Sequence, residues 1–152
     1  IQSSFPKFRK QIFDKATTVT RSRVQSLGSE FVKDIRTQHT VDDISNALNA
    51  LQELNCDIAL ALGASAIADR QDVIPAAIER CGGSIIHFGI PVDPGNLMML
   101  ARVGNMQVLG LPGSARSPRL HGFDWVLNRM ACDIPVNSND LVILGAVVRP
   151  RQ

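Results

Sequence analysis

Three short, mostly apolar runs, each stopped at a loop that carries glycine, constrain this chain more than any other feature. Residues 57–62 read D-I-A-L-A-L and then meet Gly63-Ala64-Ser65. After Asp57 the run has no polar alternation, which is how a strand buried on both faces of a parallel sheet reads. Residues 84–88 (S-I-I-H-F) end at Gly89, and residues 106–111 (M-Q-V-L-G-L) end at Pro112-Gly113. A strand covered on both sides needs layers of helix above and below it.

The intervening sequence supplies those helices. Phe13, Ala16, Thr20, Val24 and Leu27 recur at helical spacing, and Gly28 follows as a stop. Lys10, Lys15, Arg21 and Arg23 lie mostly off that stripe. Thr40 sits where an N-cap belongs, three residues before Asp43, and Val41, Ile44, Leu48 and Leu51 form one apolar face behind it. Pro75 near a helix start, with Ile74, Ala77, Ile78 and Cys81 following and Gly82-Gly83 closing, predicts another helix. Phe123, Val126, Leu127 and Met130 predict a fourth. Further strands are expected at 31–36, 97–103 and 141–148, with a hairpin turn at Gly104-Asn105. The chain opens on Ile-Gln-Ser-Ser, which reads as the end of a strand. It is expected to be one domain over residues 1–152, cut from a longer protein. Alternating strands and helices predict an α/β fold of three layers, a mostly parallel sheet with helices on both faces.

Composition narrows the function. A chain of 152 residues is the size of one domain, and a net charge of +2 gives no field that calls for nucleic acid. No apolar run approaches the roughly 20 residues that cross a bilayer. Cys56, Cys81 and Cys132 are odd in number and form no C-x-x-C pair, so they read as small core residues in a reducing cytoplasm. His39, His87 and His121 are too scattered for a metal motif. His39 reads as a residue ahead of a helix, and Ser65 has no visible histidine partner for hydrolase chemistry. His121, close to the last glycine loop, is the one histidine of interest.

In a parallel sheet, ligands bind beyond the carboxyl ends of the strands. That rule selects three segments: 63–72, 89–96 and 110–118. In the first, Gly63 and Ala64 allow close backbone approach, Ser65 adds a hydroxyl, and Asp69 and Asp72 add two carboxylates ahead of a helix. The carboxylates can cap that helix, or they can take catalytic roles and hold Mg²⁺. In the second, Asp93-Pro94-Gly95-Asn96 is a turn that needs no ligand to explain it. In the third, Pro112, Gly113 and Ser114 can present amides, Arg116 offers a cationic fork, and Ser117-Pro118 suits a helix start. It is neither a Walker loop nor G-x-G-x-x-G.

These segments in this order resemble the molybdopterin-binding domain of molybdopterin adenylyltransferases and molybdenumtransferases. The likeness covers roughly residues 57–136. It is nearest to the bacterial branch in which the domain accompanies a cytidylyltransferase-like module, on G-A-S-A-I, D-R-Q-D-V-I-P-A-A-I, P-V-D-P-G-N, A-R-S-P and G-F-D-W-V-L. The resemblance implies a pterin held by Gly63, Ala64, Ser65, Asp93, Pro94, Gly95, Asn96, Pro112, Gly113, Ser114, Arg116 and Ser117, with Asp69 and Asp72 as catalytic or Mg²⁺-binding residues. It implies a transferase role in molybdenum cofactor biosynthesis, supporting nucleotidyl transfer or molybdate insertion. A nucleotide, neighbouring domains of the full-length protein and further copies of the chain are the implied partners, with no nucleic acid or membrane. Two departures stand out: G-A-S replaces the usual G-G-x-[ST], and Ser114-Ala115-Arg116 replaces the usual Asn-Pro after G-x-P-G. They favour, as the alternative, a non-catalytic module that presents cofactor to a nucleotidyltransferase; a dinucleotide pyrophosphatase-like domain, on the ground of a shared fold, ranks last.

Overall fold

The computed structural model describes residues 1–147. In chain order it contains β1 (Gln2–Ser4), α1 (Lys10–Ser26), β2 (Arg36–Gln38), α2 (Val41–Glu53), β3 (Ile58–Leu62), α3 (Val73–Arg80), β4 (Ser84–Phe88), β5 (Met99–Val103), β6 (Met106–Leu111), α4 (Gly122–Ala131) and α5 (Ser138–Val147). The sheet runs β2-β1-β3-β6-β5-β4. β1, β2, β3 and β6 are mutually parallel, and β5 is antiparallel to both of its neighbours. The mostly parallel α/β expectation holds.

Each central strand splits its side chains between two cores. Ala59 and Ala61 of β3, Met99, Ala101 and Val103 of β5, and Met106 and Val108 of β6 pack with Ile44, Leu48 and Leu51 of α2 and Ile74 and Ile78 of α3. Leu62, Leu100, Leu109 and Leu111 face the other way, against Ala16 of α1 and Phe123, Val126, Leu127 and Met130 of α4. This two-sided burial is why the strands read as continuous apolar runs. Thr40 caps α2, its hydroxyl accepting the Asp43 amide at 3.2 Å. Gly28 closes α1 with φ +74°, a conformation that favours glycine.

Two strand expectations need correction. The strand expected at 31–36 is displaced to Arg36–Gln38, because the three residues of β1 offer a ladder only to 36–38. Residues 31–35 are irregular, Val32 is exposed, and Phe31 lies under the Arg21 guanidinium at 4.6 Å. The run at 141–148 is helix through Val147, and Val148 lies outside the described residues. Asn137 and Asp140 decide this: the Asn137 amide donates to Asp140 Oδ2 at 2.9 Å, and the Asp140 amide donates to Asn137 Oδ1 at 3.1 Å. This reciprocal cap starts a helix. A short apolar run cannot by itself separate buried helix from buried strand.

Leu100 and Leu109 are fully buried between β-sheet and α4. Leu100→Ala is expected to cost about 2–5 kcal/mol through lost burial and a residual cavity. Urea unfolding should show the midpoint falling with an unchanged denaturant slope.

Candidate functional site

β3, β4 and β6 run in one direction, so their carboxyl ends open on the same edge of the sheet. The three segments singled out above lie at those ends: 63–72, 89–96 and 110–118, of which Gly110 and Leu111 still belong to β6.

The first loop is braced by its own carboxylates. Asp72 is the N-cap residue of α3 by backbone geometry, yet its side chain does not cap the helix. Its Oδ2 accepts the amides of Ala68 and Asp69 at 2.7 and 2.9 Å. Asp69 Oδ1 accepts the Gln71 amide at 2.8 Å. The plain alternative of a helix cap therefore fails for Asp72, which curls the loop and leaves the first-turn amides of α3 without a side-chain partner. Beneath, Ile67 is buried and plugs the space above Gly110, where a Cβ would stand 2.5 Å from its Cδ1. A Cβ on Gly63 would lie 3.0 Å from Ile74 Cδ1 and 3.3 Å from His39 Cε1, which explains glycine at that position.

The third loop is held from behind. Gly113–Arg116 form a 3-10 turn whose first amides, Gly113 and Ser114, lack intrahelical partners by construction. Arg23 of α1 donates to the carbonyl oxygens of Ala115 (Nη1, 2.6 Å), Ser117 and Arg119 (Nη2, 2.6 and 2.9 Å). Its Nε pairs with Asp124 Oδ1 at 2.9 Å, with side chains only 12% and 9% exposed. Asp124 Oδ2 in turn accepts the His121 amide at 2.7 Å. With three carbonyls drawn to Arg23, the loop backbone is pinned at the start of α4. Arg116 joins the first and third loops: its Nη2 donates to Gly63 O at 3.0 Å and its Nη1 to Gly113 O at 3.4 Å. Burial lowers the Arg116 pKa from its ordinary value, but an arginine so placed stays charged at neutral pH.

The second loop rests on α4. Pro94 O accepts the Gly122 amide at 3.2 Å, and Gly95, at φ +112°, leaves no room for a Cβ, which would stand 2.9 Å from Gly122 N. The Asp93–Pro94 peptide is cis. Asp93, Pro94 and Asn96 are exposed. At this junction His121, the N-cap residue of α4, is 4% exposed and stacked on Phe123 with ring centroids 5.7 Å apart.

Every sequence-selected residue thus lies on one of three neighbouring loops. The first and third are joined by Arg116, and the second rests on the start of α4 through the Pro94–Gly122 contact. The first loop also leans on the end of β4, where the Arg70 guanidinium lies 5.5 Å from the Phe88 ring. Sequence reasoning missed two participants. Arg23 read as a surface residue of α1, because nothing local signals carbonyls 92 to 96 residues away. His39 read as a bystander, yet its ring joins Ser3 and Ser65: Nδ1 is 2.8 Å from Ser3 Oγ and Nε2 is 3.2 Å from Ser65 Oγ.

The Gly113 and Ser114 amides and the hydroxyls of Ser65 and Ser114 are the kinds of group that could meet an anionic ligand. Among the described residues no group of three or more His, Cys, Asp or Glu could hold a metal ion. Asp69 and Asp72 brace the loop first, and a Mg²⁺ there would need its other ligands from bound phosphate and water. A cavity of about 420 Å³ lies elsewhere, between α1, residues 29–34 and the start of β3, and is lined by none of these site residues. The loops are the candidate site on the rule that ligands bind beyond the carboxyl ends of parallel strands.

No family model matches the chain, and no curated protein matches it. Solved structures do. One is the crystal structure of a molybdopterin biosynthesis MoeA protein from Pyrococcus horikosii, similar at a TM-score of 0.56 and 14% identity over 92% of this chain and 34% of that one. The likeness is one of fold, and this chain spans about a third of that protein's length. No helix among the described residues is long and apolar enough to cross a membrane.

Removing Arg23 isolates Asp124 in a poorly solvated position. Arg23→Met is expected to cost about 3–5 kcal/mol, as for other broken buried pairs. Amide NMR should show its largest shifts at 113–119, and shifts confined to α1 would contradict the pinning role.

Proposed function

We propose that this domain binds molybdopterin, or the molybdenum cofactor made from it, in the cradle formed by the three loops, and that it serves in cofactor biosynthesis. One observation carries the reading: three loops lie at the carboxyl ends of β3, β4 and β6, the first and third held together by Arg116 and the second seated on the start of α4, with the Gly113 and Ser114 amides left over. The fold likeness to a molybdopterin biosynthesis protein supports it. The phosphate sits against Gly63, Ala64, Ser65 and the Gly113–Ser114 amides, with Arg116 behind them. Ser117, Asp93, Pro94, Gly95 and Asn96 border the pterin, and Pro112 sets the turn. Sequence likeness to the branch linked to a cytidylyltransferase-like module makes a nucleotide and a neighbouring domain the partners of choice.

The second reading, a module that presents cofactor without turning it over, has its own observation. Asp69 and Asp72, the residues expected to act as catalysts, already hold three backbone amides between them. Incubation with molybdopterin, Mg²⁺ and ATP, CTP or molybdate separates the two. Product formation selects a transferase, and saturable binding without product selects the presenting module. No pterin binding at micromolar protein would sink both.

Arg116→Ala is expected to weaken pterin binding about tenfold, the equivalent of one lost charge-assisted contact. Arg116→Lys should not restore it, because a single ammonium cannot span the Gly63 and Gly113 carbonyls. Titration calorimetry reads both. For Asp72 the comparison is between Asn and Ala. Asp72→Asn keeps an acceptor for the Ala68 and Asp69 amides and should retain binding, whereas Asp72→Ala should lose it. If Asn loses turnover but keeps binding, the carboxylate has a chemical role beyond bracing.

A further inference from the structure

His39 is the one titratable group in contact with the loop cradle whose two ring nitrogens are both engaged by hydroxyls. Ser3 Oγ of β1 lies 2.8 Å from Nδ1, and Ser65 Oγ of the first loop lies 3.2 Å from Nε2. The backbone holds the ring there: the His39 amide donates to Ser4 O at 2.9 Å, Phe5 meets the ring edge-on at 5.3 Å, and Gly63 leaves space for Cε1. The ring is half-buried, while Ser65 is exposed and open to a ligand.

A neutral imidazole carries one N–H and one lone pair. With the proton on Nε2, His39 donates to Ser65 Oγ and the Ser65 O–H is released toward a ligand. Nδ1 then accepts from Ser3. With the proton on Nδ1, the ring accepts the Ser65 O–H, and Ser65 turns only lone pairs outward. A doubly protonated ring donates to both serines and sets a positive charge one hydrogen bond behind the Ser65 hydroxyl. An anion therefore favours the first and third forms and opposes the second.

We propose that His39 is a positioning residue of the cradle that acts through Ser65, turning its hydroxyl toward an anionic ligand group and strengthening the hold on that group when the ring is protonated. The inference rests on the anion site proposed above. It makes the site sensitive to pH in a defined direction. Burial lowers the His39 pKa from its ordinary value, with the Asp72 carboxylate opposing that shift. Arg116, across Gly63, has the opposite sign to Asp72 and points its Nη2 at the Gly63 carbonyl. The ring is thus mainly neutral at neutral pH. By linkage, an anion that prefers the charged ring raises its pKa, and protonation raises the affinity for the anion by the same factor.

Inorganic sulfate is the probe, because it stays dianionic from pH 5 to 8 and isolates the protein's own titration. In the full chain, the Cε1–H signals of His39, His87 and His121 are followed by NMR with and without saturating sulfate. The His39 pKa is expected to rise by about one unit, with sulfate binding about tenfold tighter at pH 5 than at pH 7.5. His87 and His121 should not move. His39→Gln keeps an amide donor for Ser65 but cannot charge. It should bind sulfate at pH 7.5 and lose the pH dependence, with an amide spectrum that verifies the fold. Ser3→Ala frees the tautomer choice and should weaken binding at pH 7.5 while keeping the acid-side gain. Sulfate binding that is flat with pH in the unaltered chain, or pH dependence that survives His39→Gln, overturns the role of His39 while pterin binding still stands. No sulfate binding at any pH overturns it as well, and loss of pterin binding alongside would bring down the site reading too.

Discussion

The parallel pairing of β3 with β6 is the constraint on which the rest of the structure depends. Its five-residue register, Ile58↔Gln107 to Leu62↔Leu111, sets two strands side by side with their carboxyl ends level. The two glycine loops that leave those ends must then be neighbours, although about 50 residues of chain separate them. Alternate side chains from the same two strands divide between the α2–α3 core and the α1–α4 core, so the helices that brace the loops are anchored by the residues that align them.

The loops are stiffened by polar contacts, and this suits the use proposed for them. A cradle for a charged, polar ligand must keep amides and hydroxyls free, so the groups that hold its shape must be others. Asp72 and Asp69 hold amides within the first loop, Arg23 holds carbonyls of the third, and Arg116 holds one carbonyl of each. The Arg23–Asp124 pair is the costly element, since both charges are largely removed from water. The three carbonyls around Arg23 and the His121 amide on Asp124 complete its hydrogen bonding, which is the condition under which such a pair is tolerated.

The glycines of the loop edge were legible because glycine itself marks a turn or close approach in a short stretch of sequence, although what each makes room for is distant: Ile74 and His39 at Gly63, Ile67 at Gly110, and Gly122 at Gly95. Arg23 and His39 were not legible, because their partners arrive only when β1, β2 and α1 close over the loop edge. The misread runs follow the same division. Residues 31–35 have strand composition but no free ladder beside them, and α5 has strand composition but a reciprocal Asn137–Asp140 cap. In both cases neighbours overrode propensity.

By itself the sequence determined the layer architecture and which loops follow the strands, since apolar periodicity and glycine placement act over a few residues and survive without tertiary context. Only the tertiary structure decided what each polar side chain does. It turned Asp72 from a helix cap into a loop brace, Arg23 from a surface cation into the clamp of the third loop, and His39 from a bystander into the partner of Ser65. The reason is physical: a polar group's role is set by which unpaired donors and acceptors stand within about 3 Å of it, and folding, not spacing along the chain, brings those together.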